Sequence, residues 1–242
     1  MSSYVITAQN TDTESENRIH GDDVARAYGF RGGLVPGVLV YRYLCPAIVV
    51  SLGQEWPARG AVALRLLKPV YDGDRITVAA ELREDGDALV TVTNEAGETC
   101  ATAEASLPTV RLHDPGAGDY AADPPPAERP PATPESLVAG ADLGAVEIEA
   151  GPDEAHPAEA LRLANRIFVA NFRVSPWIHA GSRVQHFREL QQGARLQVRG
   201  RVAAVYEKKG HGFVDLDLLV LADGAAAAHV VHTAIYRLAE PS

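Results

Sequence analysis

The two halves of this chain carry the same pattern of residues, and that repetition narrows the available folds more than any other feature. The segment PARGAVALRLLKPVYDGDRITV, starting at Pro57, can be laid on WIHAGSRVQHFRELQQGARLQV, starting at Trp177. Gly73 then falls on Gly193, Arg75 on Arg195 and Val78 on Val198. Further on, NEAGETCATAEASL matches LADGAAAAHVVHTA, with Gly97 opposite Gly224. The offset is larger for the second pair of glycines. A longer hairpin around Glu207 to Gly212 than around Glu84 to Asp87 accounts for that. Identities are few, so the repeat rests mainly on pattern.

Within each half the pattern predicts a helix followed by strands. The helices are expected over Gly37 to Leu52 and about Ala158 to Phe172, where Leu161, Ala164, Phe168 and Phe172 recur at helical spacing. Alternating segments follow at Ile76–Leu82, Ala88–Asn94, Leu196–Tyr206 and Phe213–Leu221. They have period two and end at glycine turns, as antiparallel hairpins do. A long helix followed by a meander of strands, twice over, is an α+β architecture. Residues 108–134 are dense in proline and poor in large aliphatics. Proline removes backbone donors and favours extended chain, so they read as a linker between halves at about 1–107 and 135–242.

Composition excludes several function classes. With 22 basic against 32 acidic side chains, the net charge of −10 argues against a nucleic-acid binder, whose phosphate contacts need clustered Lys and Arg. The N-terminal residues have no basic and apolar export pattern, and the longest apolar stretch is far short of a membrane span. Cys45 and Cys100 are expected as buried thiols, and no Cys/His cluster has zinc spacing. The expectation is a cytoplasmic protein with neither metal nor cofactor. Charge is uneven, however. Arg173, Arg183, Arg188, Arg195, Arg199, Arg201, Lys208 and Lys209 fall in one stretch with only Glu189 and Glu207. This reads either as a solvated sheet face or as an anion-binding patch. By contrast, Asp12, Glu14, Glu16, Asp22 and Asp23 make the N-terminal segment acidic.

Asn17 to Tyr43 reads NRIHGDDVARAYGFRGGLVPGVLVYRY. Asn17, Ile19, His20, Asp22, Ala25, Gly29, Phe30 and Gly37 stand at the spacing of a motif in the MaoC-like (R)-specific enoyl-CoA hydratases, and the segment resembles that family. The resemblance implies a hotdog fold, a curved antiparallel sheet wrapped on a long helix. Two copies in one chain would make a double hotdog. It further implies an acyl-thioester substrate carried on coenzyme A or a carrier protein. His20 would serve as acid/base, Asn17 would position the reacting groups, and an oxyanion site would lie at the helix start. There Gly37, lacking a side chain, would let a thioester oxygen approach, and Pro36 replaces the His of many relatives. Tyr41 and Tyr43 are candidates for the acyl pocket or for core packing.

The departure is at Ser15. The family pattern has an aspartate five positions before the histidine, and a hydroxyl cannot replace a carboxylate as proton acceptor at neutral pH. Ser15 is therefore kept as a hydrogen-bonding candidate. The first reading is a hydro-lyase adding or eliminating water at an α,β-unsaturated or β-hydroxy acyl thioester. The alternatives are a repurposed hotdog enzyme using His20 without the aspartate, or a non-catalytic acyl-binding subunit. The repurposed enzyme could be a thioesterase, isomerase, cyclase or other eliminating enzyme of a specialised biosynthetic pathway. His179, His229 and His232, in the half without the motif, read as structural. A homodimer and a monomer are both compatible with the sequence.

Overall fold

Ten strands form one antiparallel sheet in the computed structural model, which describes residues 2–110, 112–151 and 155–239. In the first half these are β1 (Ser2–Thr7), β2 (Ala61–Leu66), β3 (Arg75–Leu82), β4 (Ala88–Thr93) and β5 (Thr99–Ser106). The second half supplies β6 (Asp142–Glu149), β7 (Ile178–His186), β8 (Arg195–Lys208), β9 (His211–Ala222) and β10 (Ala225–Arg237). The helices are α1 (Asp22–Ala27), α2 (Gly37–Leu52), α3 (Trp56–Arg59) and α4 (Glu159–Asn171). Strand order is β1-β3-β4-β5-β2-β7-β10-β9-β8-β6. Read outward from the centre, the two sides have the same connectivity. This is a double hotdog, with α2 against β3 and β4 and α4 against β6, β8 and β10.

The halves join where β2 pairs with β7, with Val62 opposite Val184 and Leu64 opposite Ser182. A Cβ on Gly181 would lie 2.6 Å from the Leu64 carbonyl oxygen, so only glycine permits that approach. The glycines matched in sequence adopt matching turns. Gly73 and Gly193 have φ of 77° and 79°, and Gly97 and Gly224 have 75° and 80°. These left-handed conformations suit glycine, which lacks the Cβ clash. The longer second-half hairpin turns at Lys209 and Gly210, between strands longer than β3 and β4.

Helix α2 is enclosed because its sequence is apolar almost all round. Val40, Tyr41, Leu44, Cys45, Ala47 and Ile48 are buried in one continuous core with the inward residues of β2 to β5. Burying a large aliphatic contributes about 1.5–3 kcal/mol, so several of them outweigh the roughly 3 kcal/mol cost of Pro46 inside the helix. Both cysteines are free and buried. Helix α4 buries Leu161, Leu163, Ala164, Ile167 and Phe168 and turns Arg162, Asn165 and Arg166 outward.

One feature differs from the sequence expectation. Each half begins with a strand rather than a helix. β1 and β6 are the sheet's outer strands, and their half-buried residues give a weak alternating signal. The proline-rich stretch is fastened down. Arg173 N donates to Pro130 O and Ala132 N to Arg173 O, while Ala145 N donates to Asp123 O. Tyr120 is buried with Phe187, Leu219, Leu221 and Ala226, and its hydroxyl donates to Asp217 at 3.1 Å. No helix among the described residues is long and apolar enough to cross a membrane.

Candidate active site

Asn17 joins the motif segment to the second half. Its Oδ1 accepts from Trp177 N at 3.1 Å and its Nδ2 donates to Trp177 O at 2.9 Å. This two-point pairing sets the orientation of the amide, since exchanging O and N would oppose donor to donor and acceptor to acceptor. The same Nδ2 lies 3.3 Å from His20 Nε2. On the other side of the ring, His20 Nδ1 lies 2.7 Å from Leu34 O. A carbonyl only accepts, so Nδ1 carries the proton and Nε2 presents a lone pair. His20 is thus held as the tautomer a general base requires.

Burial lowers the His20 pKa below the ordinary imidazole value, opposed by the Leu34 hydrogen bond and by the charge of Asp12. The fixed Asn17 amide acts in the same sense as burial, because an Nε2–H would point at its NH₂. The backbone around His20 is equally constrained. Leu34 N donates to Ile19 O, and Gly33 N donates to the Asp22 carboxylate at 2.8 Å. A Cβ on Gly33 would lie 2.1 Å from His20 O.

These residues wall a cavity of about 600 Å³ between the halves. Ser15, Asn17, His20, Pro36 and Gly37 line it from the first half, and Trp177, His179 and the outward face of α4 from the second. The size suits a small-molecule ligand. Ser15 Oγ donates to Asn17 O at 3.2 Å, so it supports the turn rather than touching His20. Pro36 precedes α2, and its carbonyl accepts from Leu39 N at 2.9 Å and Val40 N at 3.1 Å. That leaves Gly37 N and Val38 N as the first-turn N–H groups with no helix carbonyl to bond. At Gly37 the expected open space is occupied. A Cβ there would lie 2.4 Å from Leu66 Cδ1 and 2.7 Å from His179 Nδ1, so the protein itself fills the space the missing side chain leaves.

Tyr41 and Tyr43 do not line the cavity. Tyr41 is fully buried on the core face of α2, where burial raises its pKa well above the usual phenol value. Tyr43 ties α2 to the N-terminal strand region. Its carbonyl accepts from the Tyr4 hydroxyl, and its own hydroxyl accepts from Gln9 N at 3.1 Å. None of the eight basic residues in the run from Arg173 to Lys209 lines the cavity either. Arg201 pairs with Asp217 at 2.8 Å and Arg199 donates to Ala117 O at 3.1 Å. The cations along the cavity are Arg42, Lys68, Arg162 and Arg166, from α2, the β2–β3 loop and α4.

Sequence reasoning passed over Asp12, Trp177 and the α4 face. Asp12 lines the cavity, and its charge acts on His20 from outside the motif spacing. Arg162, Asn165 and Arg166 have the i, i+3, i+4 spacing of an ordinary solvent face, so their pattern carried no separate signal.

No protein-family model matches the chain, and no curated protein sequence matches it. Solved structures do. Rv0216 of Mycobacterium tuberculosis, described as a double hotdog, is 15% identical with a TM-score of 0.62, covering 97% of this chain and 96% of its own. A MaoC domain protein described as a dehydratase, from Chloroflexus aurantiacus, is 11% identical with a TM-score of 0.58, covering 98% and 95%. A protein described as an oleoyl thioesterase, from Lactobacillus plantarum, is 10% identical with a TM-score of 0.57, covering 98% and 97%. At these identities the likeness is one of fold.

Proposed function

We propose that the chain is an acid/base enzyme acting on an acyl thioester, adding water to an α,β-unsaturated acyl group or eliminating it from a β-hydroxy one. The observation that carries the reading is the state of His20. Its Nδ1 proton is committed to Leu34 O and its Nε2 lone pair accepts from Asn17 Nδ2, in the wall of the cavity that the first turn of α2 also lines. In this reading His20 Nε2 exchanges its bond from Asn17 Nδ2 for the substrate, takes the α proton and returns it to the departing hydroxyl, which leaves as water. The α2 N–H groups stabilise the enolate oxygen as it develops, and hydration is the reverse. Asp12 supplies the carboxylate that position 15 lacks. The MaoC domain dehydratase fold and the motif spacing support this assignment.

One observation favours a second reading. The Ser15 hydroxyl is engaged by Asn17 O, and no carboxylate bonds to His20 among the described residues. A lone base beside an oxyanion site suits proton abstraction next to a carbonyl without activated water, as in an isomerase or cyclase. The thioesterase fold likeness leaves hydrolysis as a third outcome of the test.

Crotonyl-CoA turnover, followed by loss of the conjugated thioester absorbance, separates these. Hydration by wild type that falls at least about 100-fold in His20→Ala supports the first reading. Loss of that absorbance accompanied by release of free thiol indicates a thioesterase, because hydration leaves the thioester intact. A well-folded wild type inert in both assays rejects the hydratase and moves the assignment to the isomerase or cyclase class.

A further inference from the structure

A buried histidine of the second half meets α2 at its first turn. The pairing of β7 with β10 slips between Gly181–Thr233 and His179–Ala234, leaving Ala180 as an extra residue. In a regular strand His179 and Ser182, three apart, would face opposite sides. The slip brings them together. Ser182 is paired directly with His232 across the ladder. Its hydroxyl lies 2.9 Å from His179 Nε2 and 3.0 Å from His232 Nδ1, and the two imidazoles stack at 4.3 Å. His179, Ser182 and His232 are 6%, 4% and 0% exposed.

A serine hydroxyl has one proton, so this chain has a direction. When His232 Nδ1–H donates to Ser182 and Ser182 donates to His179 Nε2, the remaining proton of His179 sits on Nδ1. When the direction reverses, Nδ1 is bare. The outer ends, His179 Nδ1 and His232 Nε2, are buried without a hydrogen-bond partner. A buried polar atom left so costs stability, and an apolar side chain would fill the same core without that cost. His179 also lines the cavity, with Nδ1 against Gly37.

We propose that His179 is a second ligand-contacting residue of this site, donating Nδ1–H to a ligand oxygen held at the start of α2. Ser182 and His232 are the positioning residues that select its donor tautomer. The inference rests on the acyl-thioester reading above. Leu66 Cδ1 adjoins the same point, so the ligand oxygen reaches it only with Leu66 in another rotamer. Burial keeps both imidazoles neutral at pH 7, with the His179 pKa pushed down to about 4 and that of His232 well below the usual value. His179 then polarises a carbonyl by a hydrogen bond and gives up no proton. Two of the cavity's histidines divide the work by tautomer: His20 offers a lone pair, His179 an N–H.

The test uses the full chain labelled with ¹⁵N-histidine, whose long-range ¹H–¹⁵N spectra distinguish ring tautomers, titrated with butyryl-CoA, a saturated thioester that cannot be hydrated. His179 is assigned with His179→Gln, or from its shift in Ser182→Ala if the first variant does not fold. The expected result is that His20 and His179 respond with one Kd and that bound His179 is the Nδ1–H tautomer. Ser182→Ala should mix the His179 tautomers and weaken butyryl-CoA about tenfold, the worth of one hydrogen bond. A saturable response at His20 with His179 unmoved, or bound His179 as the Nε2–H tautomer, overturns the inference and leaves the thioester reading standing. No response at either histidine overturns both.

Discussion

Asn17 is the residue on which the chemistry of His20 turns, because one amide serves two masters. Its pairing with the Trp177 backbone leaves it no freedom to flip, so His20 Nε2 always meets a donor. Replacing that amide with a carboxylate reverses the sign of the interaction. Asn17→Asp should raise the His20 pKa by about 1–3 units, since a negative charge beside the ring favours the imidazolium. It should also destabilise the fold by about 1–3 kcal/mol through the lost bond to Trp177 O. A pH titration of the His20 ring by NMR checks the first effect and urea unfolding the second. An unchanged His20 pKa in a folded variant would show that Asn17 does not govern the ring.

At the level of elements, the start of α2 is fitted to the second half without slack. Gly37→Ala would ordinarily strengthen a helix, but here the added methyl meets Leu66 and His179. The expected outcome is a loss of about 1–3 kcal/mol, the usual cost of overpacking, read as a lower urea midpoint. The proline-rich stretch is held differently, with one carboxylate gathering several of its contacts. Asp217 accepts from His229 at 2.6 Å, Arg201 at 2.9 Å and Tyr120 at 3.1 Å. Led by the His229 bond, these hold its pKa down at about 2. Its stabilisation is therefore complete above the unfolded value near 3.8 and is lost as pH falls towards 2. Asp217→Asn should lose about 2 kcal/mol and speed proteolytic cutting within residues 108–134. Equal cutting rates in variant and wild type would mean that other contacts hold the segment.

For the whole molecule, the buried histidines set the response to acid. His179 and His186 are pushed down to about 4 by burial, and His232 is held well below the usual imidazole value for the same reason. Unfolded imidazoles titrate near 6.5, so below that pH the unfolded chain binds protons that the folded chain cannot. Stability should be flat above about pH 7 and fall between 6.5 and 4. The slope in mid-window should approach about 4 kcal/mol per pH unit for three such groups. Urea midpoints measured from pH 8 to pH 4.5 test this, and a midpoint independent of pH would contradict it. Two of these histidines stand on β7 and one on β10, so acid weakens the middle of the sheet, where the halves meet.

The sequence by itself determined the repeat, the two long helices, the hairpin strands and the cluster at Asn17, His20 and Gly37. Each of these is local: glycines at forced turns, periods of two and 3.6, and a motif spanning one loop and one helix start. It said nothing of how the halves meet, because that contact lies between residues 160 apart, as in the Asn17–Trp177 pair. Only the tertiary structure decided that Tyr41 packs inward and Tyr43 against the N-terminal strand, since an apolar helix gives no sign of which face borders a cavity. A single-residue slip between β7 and β10 turned His179 from one more strand histidine into part of the cavity wall. Bulges obey the pairing of two strands rather than the preference of either, and no spacing within one strand records them.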